Sequence, residues 1–167
     1  MDETAAIEKG QGIAKASFQA LSGQLSAAMQ AGGPAHAVEY CSLRAIPVLD
    51  SMSTLHGVRI KRTSDRLRAG YDRPDADEQL ALRAMLRQWE QGGADPVIPA
   101  VRLLGDSVAY YQPIFIASPT CLKCHGTAGQ DLDSAAYAVI TRLYPSDAAT
   151  GYRMGDLRGM WSIRWAH

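Results

Sequence analysis

The chain has 167 residues, a length typical of one domain that buries its own core without disulfide bonds. Its 17 basic and 17 acidic residues cancel, so no global field favours nucleic acid or an anionic membrane. With 47% hydrophobic and 20% charged residues the composition is that of a globular protein. No apolar run approaches the roughly 20 residues that span a bilayer.

The first third of the chain predicts two amphipathic helices. Across residues 4–31, apolar side chains recur at helical spacings and form one stripe. The stripe consists of Ile7, Ala14, Phe18, Leu21, Leu25 and Ala28. A Gly-Gly-Pro sequence at 32–34 ends this helix, and a second helix is expected over residues 34–55 with Cys41 on its inner stripe. Gly57 is the expected C-cap residue of the second helix.

The remaining pattern alternates between strands and helices. Strands are predicted at 58–63, 100–104, 107–116 and 160–165. Helices are predicted at 75–91 and 133–143. This order favours an α+β fold with an antiparallel sheet and long N-terminal helices.

Residues 121–125 read Cys-Leu-Lys-Cys-His, which is the C-x-x-C-H signature of covalent haem attachment. Two thiols three positions apart can form thioethers with the two vinyl groups of one porphyrin. The imidazole that follows can then bind the iron from the same side. The motif predicts one c-type haem, attached at Cys121 and Cys124, with His125 as an axial ligand.

A redox dithiol and a zinc site are the alternatives for such a Cys pair. Zinc would require four ligands, and a second Cys pair is missing. A thioredoxin-like motif would begin a helix that follows a strand in a βαβ unit. Here we expect the motif in a loop between Pro119-Thr120 and Gly126, which favours haem.

The sixth ligand of the iron is left open by the residues. Cys41 is the third thiol, and its place on an inner helix stripe suits either a small buried side chain or a ligand. A thiolate would lower the reduction potential, whereas a methionine would raise it. The competing residues are Met52, Met154, His36, His56 and the terminal His167.

Apolar cover and donors for the haem propionates can also be proposed. The cover would come from the second helix and from Tyr110, Tyr111, Phe115, Ile116 and Leu122. Propionates are anionic, so one or two of Arg62, Arg66 and Arg158 are expected to bind them. Tyr144 and Tyr152 can donate hydrogen bonds nearby.

Several sequence blocks occur in an order that resembles the Tll0287-like (DUF3365) family of haem domains over most of residues 36–165. The blocks are Tyr40-Cys41-Ser42, Arg62-Thr63-Ser64, residues 119–126, Tyr144-Pro145-Ser146-Asp147, Gly151-Tyr152 and residues 155–159. One departure is Arg68-Ala69-Gly70, where the family often has Arg-Asn-Pro.

The resemblance implies a PAS-like fold with one covalent haem. Residues 1–33 would form an N-terminal helix, and residues 34–167 the haem-binding core of a single domain. In some members a motif histidine and a helix cysteine hold the iron, which match His125 and Cys41. The resemblance also implies an exported, periplasmic protein, whose signal peptide is absent from this chain, and a redox-sensing or gas-sensing role.

Three functions are compatible with such a haem. A sensor would exchange a ligand on reduction or on binding NO or CO. A soluble electron carrier would keep six-coordinate iron and meet a redox partner protein. An enzyme such as a peroxidase would require a distal acid–base group, which no residue indicates, so we expect no enzymatic activity. We expect no nucleic-acid partner, and residues 7–28 could supply a homodimer contact.

Overall fold

A computed structural model describes residues 2–92 and 97–167. The helices are α1 (Glu3–His56), α2 (Ala76–Gln91), α3 (Pro119–His125) and α4 (Ser134–Leu143), with a short 3₁₀ helix at Gly70–Asp72. The strands are β1 (Arg59–Thr63), β2 (Ala100–Leu104), β3 (Ser107–Phe115) and β4 (Leu157–Ala166). Within the described residues, none of the helices has the length and apolar character needed to cross a membrane.

Helix α1 is a hairpin of two limbs. Gly32 and Gly33 have non-helical backbone angles, so the helix turns back between residues 3–31 and 34–56. The Tyr40 hydroxyl donates to Oε1 of Gln24 at 3.0 Å. Residues 16 positions apart would be about 24 Å apart along a straight helix, so this bond requires antiparallel limbs. The two predicted helices are therefore confirmed, and Gly57 ends the second in a left-handed conformation.

The sheet has four antiparallel strands in the order β1-β4-β3-β2. Helix α1 covers one face, where the core contains Ile13, Leu49, Ile60, Tyr110, Trp161 and Ile163. Helix α2 covers the opposite face, where the core contains Leu82, Met85, Ala109, Tyr111, Leu157 and Met160. The α+β class, the antiparallel sheet and the long N-terminal helices predicted from the sequence are confirmed.

The first limb of α1 approaches the sheet closely at Gly10. A Cβ atom on Gly10 would lie 2.2 Å from the Tyr110 ring, and that ring is fully buried. The hydroxyl of Tyr110 is fixed by a 2.8 Å bond to Oε1 of Gln112. Gly10 is therefore required for packing. A Cβ on Gly12, two positions along, would contact nothing within 4 Å.

The expectation that residues 119–126 form a loop is wrong, because they form the short helix α3. Pro119 lies at a first helical position, where its missing N–H is no loss. Gly126 follows the last turn and donates to the Leu122 carbonyl at 2.8 Å. The same two residues that indicated a loop thus mark the start and end of a helix.

Candidate functional site

Helix α3 holds the C-x-x-C-H residues between two small apolar clusters. Leu122 is buried with Ile116, Ala149 and Tyr152, and Cys121 packs against this group. Cys124 packs against a second cluster, which contains Val38 of α1 and Leu132, Ala136 and Ile140 of the α4 region. The two motif thiols therefore lie between the sheet side and the helical side of the molecule.

The His125 imidazole is held through one of its two ring nitrogens. Its Nδ1 lies 2.8 Å from the Ala149 carbonyl oxygen, so Nδ1 carries the proton and donates. The other nitrogen, Nε2, is left with a lone pair that can bind a metal. Burial lowers the pKa of His125 well below its ordinary value, and the charges of Arg158 and Arg68 lower it further. The ring is consequently neutral, which is the form that ligates.

Residues 144–156 form a segment that closes over α3. The Tyr152 N–H donates to the His125 carbonyl at 2.9 Å, and the Gly151 N–H donates to the Gly126 carbonyl at 2.7 Å. Arg66 donates from Nε to the Ala148 carbonyl at 3.1 Å and from Nη2 to the Thr150 carbonyl. This segment supplies the acceptor that orients His125.

Tyr152 lies next to the guanidinium groups of Arg66 and Arg158, and we call this group the arginine-rich wall. The Tyr152 ring meets the His125 ring edge to face, with centroids 6.2 Å apart. The Arg66 and Arg158 guanidinium carbons lie 4.1 and 5.4 Å from the Tyr152 ring centroid. The Tyr152 hydroxyl and the Arg158 Nε are buried without a hydrogen-bond partner. Burial lowers the pKa of Arg158, although the nearby Tyr152 hydroxyl opposes this shift.

Cys41 lies on the second limb of α1, one turn beyond Val38. Burial raises the pKa of Cys41, and the positive charge of Arg62 opposes that shift. Burial also raises the pKa of Cys124 to about 11, with Cys41 among the neighbours that raise it further. Cys41 is thus near enough to α3 to interact with a motif thiol, and one arginine favours its thiolate.

Residues 3–166 match the family model described as Tll0287-like: Tll0287. The chain belongs to the Tll0287-like family. Among solved structures it is similar to the "Crystal structure of the cyanobacterial heme-protein Tll0287", with a TM-score of 0.67 and 23% identity. That similarity covers 98% of this chain and 96% of the other, and at this identity it supports the fold. Comparison with curated proteins finds no match.

In this Tll0287-like chain the other predicted sixth ligands lie in different surroundings. Met52 packs against the main core on the α1 side of the sheet. Met154 and His36 are exposed, as is the terminal His167, whose N–H donates to the Asp106 carbonyl at 2.8 Å. His56 is partly buried at the end of α1, with its Nε2 unpartnered.

Two of the residues expected to cover the haem are placed elsewhere. Tyr110 is buried in the core beneath α1, and Tyr111 is buried on the α2 face of the sheet. Adjacent residues of a strand point to opposite faces, and each tyrosine fills a core of its own. Phe115 packs at the edge of the α2-side core, whereas Ile116 and Leu122 belong to the cluster beside α3.

The predicted donors are spread along one side of the site. The Arg62 guanidinium carbon lies 5.9 Å from the Trp161 ring centroid. Arg158 donates from Nη1 to the Arg66 carbonyl at 3.2 Å, which links two of the predicted propionate partners. Tyr144 packs beside the α4 cluster.

Arg68 and Asp147 are site residues that sequence reasoning missed. The Arg68 Nε lies 3.0 Å from Oδ1 of Asp147, and its Nη2 donates to the Cys124 carbonyl at 2.6 Å and to the Ala149 carbonyl at 3.3 Å. Asp147 lies in a block shared with the family, whereas Arg68 begins a stretch that departs from the family pattern. Backbone acceptors, which are the partners here, leave no trace in a sequence.

The residues present fit the haem that the sequence predicts. Two thiols and a neutral imidazole lie on α3, and a third thiol lies on the neighbouring limb of α1. The unpartnered Tyr152 hydroxyl and Arg158 Nε are buried donors of the kind that carboxylates satisfy. Within residues 2–92 and 97–167, three or more His, Cys, Asp or Glu side chains do not gather into a group able to hold a metal ion.

Proposed function

We propose that this chain is a periplasmic c-type haem protein that senses redox state or a small gas such as NO or CO. One haem would be attached at Cys121 and Cys124, and the iron would be bound by His125 and Cys41. The observation that carries the proposal is the His125 imidazole, which is neutral and fixed at Nδ1 by the Ala149 carbonyl. The related protein of known structure is a cyanobacterial haem protein, which supports the same cofactor here.

The arginine-rich wall supports the cofactor independently. Arg62, Arg66 and Arg158 bring positive charge to the site, and one or two of them were expected to bind a propionate. A buried guanidinium nitrogen or hydroxyl without a partner costs about 1–3 kcal/mol. A propionate beside Tyr152 and Arg158 would remove that cost by accepting from both groups.

A sensing role follows from the two states that Cys41 can adopt. Burial favours its neutral thiol, whereas Arg62 favours its thiolate. A thiolate binds iron far better than a thiol does. The bound haem would supply one-electron chemistry and a position for a gaseous ligand. Cys41 would hold or take up a proton at Sγ according to the charge beside it, which makes its ligation reversible.

The cofactor is tested by producing the protein in a host that matures c-type cytochromes. We expect the denatured protein to carry the added mass of one haem, and the Cys121→Ala, Cys124→Ala double variant to lose it. Protein from such a host that carries no added mass would overturn the proposal.

The axial ligand is tested by absorption and EPR spectra of ferric Cys41→Ala. We expect low-spin thiolate–imidazole signals in the wild type and their loss in the variant. Met52→Leu is the matched control, because Met52 lies on the same limb of α1 but packs in the core, and its spectra should equal the wild type. Thiolate signals that survive in Cys41→Ala would rule out this ligand.

The role is tested by redox titration and by adding CO or NO. A sensor should exchange Cys41 for the gas in the ferrous state. A protein that keeps one potential and refuses CO would instead be an electron carrier that meets a redox partner protein.

A further inference from the structure

Arg68 is the most heavily hydrogen-bonded cation beside the motif, and the proposed function gives it no task. Three of its contacts join three different parts of the site, namely the Asp147 carboxylate and the carbonyls of Cys124 and Ala149. Its side chain is 14% exposed and that of Asp147 only 8%. Its Nε and Nη2 donors are thus directed to protein acceptors.

The Ala149 carbonyl receives two donors. His125 donates to it from Nδ1 at 2.8 Å, and Arg68 donates from Nη2 at 3.3 Å. A carbonyl that accepts a second hydrogen bond has less electron density for the first. The Nδ1–H bond of His125 is therefore polarised less than it would be by an unshared carbonyl. As a result, the imidazole is a weaker electron donor to a metal at Nε2.

Asp147 sets the position and the net charge of this arrangement. Its Oδ1 accepts from Arg68 Nε at 3.0 Å and from the Ala149 N–H at 3.1 Å. One carboxylate oxygen thus fixes both the arginine and the residue whose carbonyl the arginine shares. The ion pair also neutralises most of the Arg68 charge next to the imidazole.

We infer that Arg68 and Asp147 are positioning residues that set the reduction potential of the haem by controlling how strongly the Ala149 carbonyl polarises His125. This inference rests on the proposed function, since it requires iron on His125 Nε2. Because the Ala149 carbonyl accepts from Arg68 as well as from His125, the imidazole donates less electron density to the iron through Nε2. This favours the ferrous state. Arg68 raises the potential in this way, and Asp147 limits the increase.

The test is a redox titration of haem-loaded protein with three variants. Arg68→Met removes the charge and both carbonyl bonds, so we expect the potential to fall by about 59 mV, which is a tenfold change in the one-electron equilibrium. Asp147→Asn leaves the arginine charge uncompensated, so the potential should rise. Opposite shifts from two partners of one ion pair are not expected of a merely structural role.

Arg68→Lys separates the hydrogen bond from the charge. Lysine keeps the charge but lacks the planar fork that reaches Asp147 and both carbonyls together. We expect its potential to lie below the wild type, and the EPR g values to shift toward a stronger histidine donor. The matched control is Arg142→Met, which breaks the exposed pair with Glu39 and should leave the potential unchanged.

Potentials of Arg68→Lys and Asp147→Asn equal to the wild type would overturn the inference, even if Arg68→Met failed to mature. A shift of the same sign in Arg68→Met and Asp147→Asn would overturn it too. Each of these results leaves the proposed function intact, because it is measured on protein that carries haem. Wild-type protein without haem would remove both.

Discussion

The sheet is joined to the α1 hairpin by buried apolar side chains, whereas the segment around α3 is joined by arginine-to-carbonyl hydrogen bonds. Ile13, Leu49 and Ile163 represent the first region, and all three are nearly inaccessible to water. Arg66 and Arg68 represent the second, where each donates to at least two backbone carbonyls. Buried polar atoms without partners occur in both regions, with Ser17 Oγ on α1 and the Tyr152 hydroxyl and Arg158 Nε in the second region, and the latter two lie together next to the His125 ring.

This difference indicates which part of the molecule depends on a ligand. Burial of apolar surface between α1 and the sheet contributes about 25 cal/mol per Å² to the free energy of folding, and this contribution requires no cofactor. The region around Tyr152 and Arg158 leaves polar donors unsatisfied, so an anionic partner that accepts from them would stabilise it. We therefore expect substitutions in the first region to act on stability with or without haem, and those in the second to depend on it.

The largest effect is expected at the contact between α1 and the sheet. Gly10→Ala forces a Cβ atom into the fixed Tyr110 ring, so we expect the free energy of unfolding to fall by about 3 kcal/mol. Gly12→Ala is the matched control, because its Cβ atom contacts nothing and the helix gains about 0.5–1 kcal/mol. Urea denaturation of both variants measures the difference. Equal stabilities would show that the limb does not pack as described.

A smaller effect is expected from the pH dependence of the haem-free protein. Burial, with Arg158 and Arg68 nearby, holds the pKa of folded His125 well below the ordinary value of 6.5. Below pH 6.5 the unfolded chain binds a proton that the folded chain refuses, so stability is full above this pH and falls as the pH drops. We expect a loss of at most about 1.4 kcal/mol per pH unit, reduced by the partial exposure of the ring.

The measurement for this prediction is urea denaturation at pH 7.5 and pH 5. His125→Gln should lose less stability over that interval than the wild type does. A wild type and a variant with the same dependence would mean that the imidazole is charged in the folded protein.

The smallest effect is expected at Tyr152. Its hydroxyl is buried without a partner, so Tyr152→Phe should stabilise the haem-free protein by about 1 kcal/mol. In haem-loaded protein the hydroxyl would donate to a propionate, and the same substitution should destabilise. Thermal unfolding of both forms measures the change of sign. The same sign in both forms would mean that no carboxylate binds here.

Much of the fold was predictable because local pattern and tertiary structure agree. The Gly-Gly-Pro sequence at 32–34 marks the hairpin turn, and the strand at 100–104 has the predicted bounds. The last strand begins at Leu157, three residues before the predicted start. Gly159 lies in those added residues, and glycine weakens a strand pattern even where pairing in the sheet supports it.

The site was predictable only where the chemistry belongs to side chains. The two thiols and the imidazole of α3 stand out because their spacing is specific. Three other features do not stand out in the sequence, namely the Ala149 carbonyl that accepts from His125, the bonds of the Arg68 guanidinium group and the close contact at Gly10. They depend on atoms that the fold brings together from distant parts of the chain. The helix around the motif was missed because Pro and Gly mark loops as well as the ends of short helices.

The second limb of α1 places Cys41 next to Tyr40, whose hydroxyl bonds to Gln24 on the first limb. Further along the same rod, Leu49 is embedded in the sheet core. If Cys41 binds the iron, a change of bond at its sulfur atom would therefore act on a limb that is bonded to the opposite limb through Tyr40 and anchored in the sheet core through Leu49.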